Sequence, residues 1–158
     1  MSMSLEQIID ALQYRIAELE RRAAASIRIG VVREVDASRG LARVKLSGGA
    51  AAFLTGPIPW VEQSAGANRT HIPLSVGQQV VIVSETGDLH DAVIIGSLNS
   101  AANARPSQAP DAYVIASVGP ASVTVKDGGN EMEFRVGTTS LTLRGDHAHL
   151  VADRIDLN

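Results

Sequence analysis

Residues 121–158 read ASVTVKDGGNEMEFRVGTTSLTLRGDHAHLVADRIDLN. Large apolar side chains fall on alternate positions in short runs: Val123 and Val125, then Met132, Phe134 and Val136, then Leu141 and Leu143, then Ile155 and Leu157. A repeat of two is the signature of half-buried β-strands. Beyond residue 110 the only aromatic residues are Tyr113 and Phe134. A few narrow strands with no covering layer are marginal in water. The stretch is therefore expected to be stabilised by further copies of itself, and function is expected to come from an assembly rather than from a pocket in one chain.

The rest of the composition agrees with a narrow β architecture. Of the 158 residues, 45% are hydrophobic but only 3% are aromatic. Much of that apolar content is Ala and Val, which suits thin sheets better than a deep catalytic cavity. The formal charge is −3. With no Lys/Arg block, a binder of phosphate backbones is disfavoured and no nucleic-acid partner is expected. The absence of cysteine excludes disulfides, zinc–thiolate sites and thiol catalysis. No run of about 18 apolar residues marks a membrane span, and the N-terminus, with Glu6 and Asp10, lacks signal-peptide character. Synthesis and folding in the cytoplasm are expected.

Four segments follow along the chain. Residues 1–26 hold a helix over Ser4–Ala25, with a capping box from Ser4 and Gln7. Its apolar residues Leu5, Ile9, Leu12, Ile16, Leu19 and Ala23 are spaced 4, 3, 4, 3, 4, a heptad seam that suits two or three strands. The competing reading packs this helix on its own domain. Residues 27–100 read as a small all-β barrel or sandwich, with strands at Ile27–Val35, Leu41–Leu46, Gln79–Ser84 and Ala92–Ser97. Turns are expected at Asp36–Gly40, Gly48–Gly49 and Glu85–Asp88, and Gly56–Asn68 is expected as a long loop crossing the barrel. Residues 101–112, within the Ala/Ser/Asn/Pro-rich stretch Asn99–Asp111, read as a linker. Residues 113–158 are the strand tail.

The middle of the chain carries a recognisable pattern. IRIGVVREVDASRGLARVKL, from residue 27, is followed by Pro59-Trp60, by Ala65-Gly66, by the run from Pro73 to Val80, and by Ile95-Gly96-Ser97-Leu98. In order and spacing these resemble the phage baseplate assembly protein V family. The resemblance covers nearly the whole chain. It implies a mainly β protein with an N-terminal helix, an oligonucleotide/oligosaccharide-binding (OB) barrel and a C-terminal triple-stranded β-helix wound from three chains. It further implies a structural homotrimer, the central spike of a contractile phage tail or phage-tail-like bacteriocin. Such a spike is assembled in the bacterial host cytoplasm, sits at the baseplate with hub and tail tube proteins, and is driven through the target cell envelope when the sheath contracts. The alternative function is a trimeric module on a β stalk that binds saccharide or nucleic acid.

The residues expected to matter are therefore those of a trimer interface. Leu141, Leu143, Val151, Ile155 and Leu157 are expected to line the β-helix interior, and Leu12, Ile16 and Leu19, with Leu5 and Ile9, the helix seam. Thr124, Lys126, Glu131, Glu133, Arg135, Thr142 and Arg144 are expected to point outward. His147 and His149 share parity with the interior set, so three chains would present six imidazoles to one metal, iron by the resemblance. Against this, nine strand-like residues follow the pair here, and Gly145-Asp146 is able to flip the parity. The competing reading is ordinary strand histidines, no cofactor, and a separate spike-tip protein. No catalytic set is expected: Ser84, His71 and His90-Asp91 lack a Gly-x-Ser-x-Gly turn. Trp60 is read as a core or subunit plug rather than a base-stacking platform. Arg105 and Arg21-Arg22 are read as solvated charges or contacts to hub neighbours. By the same resemblance, the lysozyme domain fused in larger relatives of the family is not expected in these 158 residues.

Overall fold

The structure, a computed structural model, describes residues 4–46 and 53–156. The chain divides into two compact units, Met1–Ala104 and Arg105–Asn158.

The first unit opens with helix α1, Leu5–Ser26. Ser4 caps it: the Gln7 amide donates to Ser4 Oγ at 3.3 Å, and the Ser4 amide donates to Gln7 Oε1 at 3.0 Å. These reciprocal bonds satisfy two otherwise unpaired donors of the first turn. The helix stands almost clear of its own barrel. Ala25, in its last turn, is its one buried residue among those described. Leu5 is 73% exposed and Leu19 64%. Within one chain the helix packs on its own domain only through this last turn, where the chain leaves α1 through the extended Ile27 directly into a strand.

That strand is β1, Ile27–Asp36. The others of this unit are β2 (Leu41–Leu46), β3 (Phe53–Leu54), β4 (Ile58–Pro59), β5 (Gln79–Val83) and β6 (Val93–Leu98). They run in the order β3-β2-β1-β5-β6, and β4 also pairs with β2. Closure comes from the segment expected as a crossing loop. Ile58 and Pro59 pair with Ala42 and Leu41 on one side. On the other, Trp60 bridges Ile94 in parallel, and the Val61 amide donates to the Ile94 carbonyl at 2.9 Å. The ring β1-β2-β4-β6-β5 is closed, which removes the long free edges of an open sheet. The turn expected at Gly48–Gly49 lies outside the described residues.

Inside the barrel, Val32, Val44, Val80, Ile82 and Ile94 are essentially sealed from solvent, with Ala42, Leu46, Ile58 and Ala92 around them. Each such Val or Ile contributes about 1.5–3 kcal/mol relative to exposure. Thr55 is also sealed, and its Oγ1 accepts from the Val44 amide at 2.9 Å. Gly30 has no room for a side chain: a Cβ there would lie 2.5 Å from Val44 Cγ1 and 2.8 Å from the Lys45 carbonyl oxygen.

The second unit is one antiparallel sheet of five strands: β7 (Tyr113–Val118), β8 (Ala121–Lys126), β9 (Glu131–Val136), β10 (Thr139–Arg144) and β11 (Ala148–Val151). They follow one another as a meander, β11-β10-β9-β8-β7. Within a single chain the strands pair with their own neighbours, each reached by a short turn.

Candidate functional site: the assembly surfaces

Residues directly opposite in an antiparallel sheet share a face, so the register sorts the second unit into two surfaces. One row runs Ala116, Val123, Phe134, Leu141, Leu150. The row beside it runs Tyr113, Val125, Met132, Leu143, Ala148, and the row on the other side includes Val118, Ala121, Val136 and Thr139. This face is almost wholly apolar. It is also open: Val118, Val136 and Leu150 are exposed, and a shallow groove of about 340 Å³ runs between Val118, Val123, Phe134, Val136, Leu141 and Leu150.

The opposite face is charged and tied together. Thr124, Glu133 and Thr142 form one row, and Lys126, Glu131 and Arg144 the next. Lys126 Nζ donates to Glu133 Oε2 at 2.6 Å, Arg135 also bonds Glu133, and Arg144 Nη2 donates to Glu131 Oε2 at 2.6 Å. Glu133 is buried beneath these cations, as are Thr124 and Ser140 beside it. The Lys126 hydrogen bond, opposed by burial and aided by Arg135, holds the Glu133 carboxyl below its ordinary range. All seven residues expected to point outward belong to this face or its ion pairs.

Two sequence expectations are corrected by the same register. Leu141 and Leu143 lie on the apolar face, but Val151 pairs with Ser140 and His149 with Thr142, both on the polar face. The reason is the two-residue turn Gly145–Asp146, across which the Arg144 amide donates to the His147 carbonyl. It pairs odd positions with even ones, so Leu150 and Ala148 join Leu141 and Leu143. Ile155 lies beyond the last strand, and Leu157 outside the described residues. His149 stands on the face opposite Leu141 and does not fit a metal held on an axis lined by that residue. His147 Nδ1 is instead 2.7 Å from Asp146 Oδ1. Among the described residues of one chain, no group of three or more His, Cys, Asp or Glu side chains is placed to hold a metal.

On the helix, the seam residues Leu12 and Ile16 are 51% and 55% exposed, and Leu5, Ile9 and Leu19 are exposed with them. The end of α1 is fixed to the barrel at Gly87, where a Cβ would approach the Arg22 carbonyl oxygen to 2.9 Å and where φ is +80°. A groove of about 680 Å³ beside this contact is lined by Arg21, Arg22, Arg28 and His90. Two of its cations are already committed. Arg21 and Arg22 both bond Glu18, whose carboxyl they push down to about 2.

The polar groups once set beside catalytic chemistry have structural partners. Ser84 Oγ donates to Asp91 Oδ1 at 2.5 Å, and the Thr86 amide donates to Asp91 Oδ2 at 2.9 Å. The serine gives its proton to a carboxylate, not to an imidazole, and the pair ties down the 84–91 loop. Trp60 packs against the barrel core, and its Nε1–H donates to Glu62 Oε1 at 3.0 Å. Glu62 also accepts from the Ile72 amide and from Thr70, and the Trp60 bond leads in holding its carboxyl low.

The barrel thus coincides with a known class of domain. Residues 28–98 match the family model of the Type VI secretion system/phage-baseplate injector OB domain. The chain is also 32% identical over 130 residues, 82% of its length, to the spike protein of Escherichia phage P2. It spans about half the length of that curated relative, 56%. On these grounds the chain belongs to the phage baseplate assembly protein V family.

Proposed function

We propose that the chain is a structural component of a contractile-tail baseplate, a homotrimeric central spike that acts mechanically on the target cell envelope. The observation that carries this reading is the inversion in the second unit, where Phe134, Val136 and Leu150 are exposed while Glu133 and Thr124 are buried. A sheet with one dry-chemistry face and no second layer is completed when three copies bring those faces together. The exposed seam of α1 asks for the same partner. Family membership and the phage P2 relative supply the setting: the tail baseplate, with hub and tail tube proteins as neighbours. Three sheets closed around an axis, with the Lys126–Glu133–Arg135 cluster outside, make a rod that unfolds only when the chains separate. High kinetic stability follows, and stiffness under axial load is what envelope piercing requires.

In this reading the chain is not an enzyme. Ser84, Asp91, Glu62 and Trp60 hold loops and the barrel wall, and their bonds give each a structural role. A saccharide or nucleic-acid module is less well supported, because Trp60 has its ring against the core and its N–H engaged. The test is localisation. Gold-labelled antibody against the chain is expected at the baseplate end of purified tail particles; particles that carry no label there would remove the spike reading.

A further inference from the structure

The barrel is apolar on its outside as well as its inside along three adjacent strands. In β1, Val32 faces the core while Ile27 and Val31 face out; in β5, Val80 and Ile82 face in while Val81 and Val83 face out. In β6, Ile94 is sealed while Val93 and Ile95 face out. Cross-strand pairing assembles these into one wall: Ile27 opposite Val83 and Val83 opposite Val93, Ile29 opposite Val81, and Val31 opposite Gln79, itself opposite Leu98. Ile27 is 65% exposed and Ile95 53%. Strands that read as continuous apolar runs, here QVVIV and AVIIG, are those covered on both faces. One cover is the barrel core; the other is not supplied by the described residues of this unit.

We infer that this β1–β5–β6 wall faces the three-fold axis and packs against the same wall of the other two copies. Two features select a second copy as the occupant. The wall continues the helix seam, whose last residue, Ala23, is followed by Ile27 four positions on, where the chain passes from α1 into β1. A seam held at an axis by α1 delivers Ile27 to that axis. In addition, across β1, β5 and β6 the paired rows of the wall carry no charged side chain, and the cation that borders them, Lys45 opposite Val31, lies on β2 at the rim, so identical surfaces approach without the like-charge penalty that commonly separates copies. The proposal rests on the trimeric reading above and adds to it the orientation of the barrels.

The absence of natural cysteine makes the test direct. Ile95→Cys, Ala37→Cys and Leu143→Cys are made singly in the full chain and treated with a short bis-maleimide. Ala37 is exposed in the β1–β2 turn, beyond the last paired row of the wall. Ile95→Cys is expected to give a covalent two-chain band on a denaturing gel and Ala37→Cys to remain a single chain. If Leu143→Cys cross-links while Ile95→Cys behaves like Ala37→Cys, the trimer stands and this orientation of the barrels is overturned. If no variant cross-links and the native mass is that of one chain, the trimeric reading fails and the wall contact fails with it.

Discussion

In the barrel, Val32, Val44, Val80, Ile82 and Ile94 are sealed inside a closed ring of strands. In the C-terminal sheet the equivalent apolar positions, among them Val118, Val136 and Leu150, stand exposed, and the buried side chains are Thr124, Glu133 and Ser140. The two units use the same strand alternation to opposite ends. The barrel curls on itself, so its inward face meets its own opposite wall. The second sheet is a succession of hairpins, and the described residues of its own unit put no second layer over its apolar face. Closure, not composition, decides which of them stands alone.

Changes that attack the open face are expected to have the largest effect. Leu143→Asp puts a carboxylate on the apolar surface once per chain, and burying three such charges at an axis is prohibitive. Loss of assembly in light scattering is expected, with the barrel still folded by circular dichroism. An assembly of unchanged mass would show that this face is not the interface. Next comes Ile82→Ala, which opens a cavity in the barrel core. A loss of about 2–5 kcal/mol in denaturant unfolding of the barrel is expected, with assembly retained. If the same change dissolved the assembly and left barrel stability intact, the division of labour between the two units would be wrong.

A third prediction separates the units by pH. Glu133 has its carboxyl held below the ordinary range, led by the Lys126 hydrogen bond. Its unfolded counterpart, with a pKa of about 4.3, takes up a proton first as pH falls. The contribution is therefore complete above that value and is lost as pH drops through the lower, folded one. Glu133→Gln is expected to flatten the acid loss of protection in the C-terminal sheet, read by hydrogen exchange. Barrel amides, whose acid response runs through Asp91 and Glu62, are expected to keep theirs. The smallest effect is Ser4→Ala, which removes one cap from an exposed helix and costs about 1 kcal/mol. It is expected to fray the first turn of α1 with no change in either β unit.

Much of this architecture was legible in the residues. The helix begins at the capping pair Ser4 and Gln7, as the spacing requires, and β2 occupies the expected Leu41–Leu46. The alternation in Val123/Val125, Met132/Phe134 and Leu141/Leu143 led to the apolar face because turns of two or four residues exchange odd and even positions at every hairpin. The same rule, carried one turn further across Gly145–Asp146, leads to Ala148 and Leu150; holding odd parity through that turn put Val151 and His149 on the wrong face. Gly-Asp between two strands is itself a two-residue hairpin signal. Barrel closure was less legible. The Ile58–Val61 segment is rich in loop residues, and its strand character comes from partners on both sides, Ala42 and Ile94, that are distant in sequence. The outer wall was visible as the doubly apolar runs QVVIV and AVIIG, but alternation analysis looks for one buried face and passes over strands with two.

The central claim is that three copies complete what one chain leaves open. The most direct measurement is the native mass of the full chain by light scattering coupled to size exclusion, followed through serial dilution. The account predicts three times 16.6 kDa, unchanged on dilution. A stable mass of 16.6 kDa, with the C-terminal sheet still ordered, would contradict it.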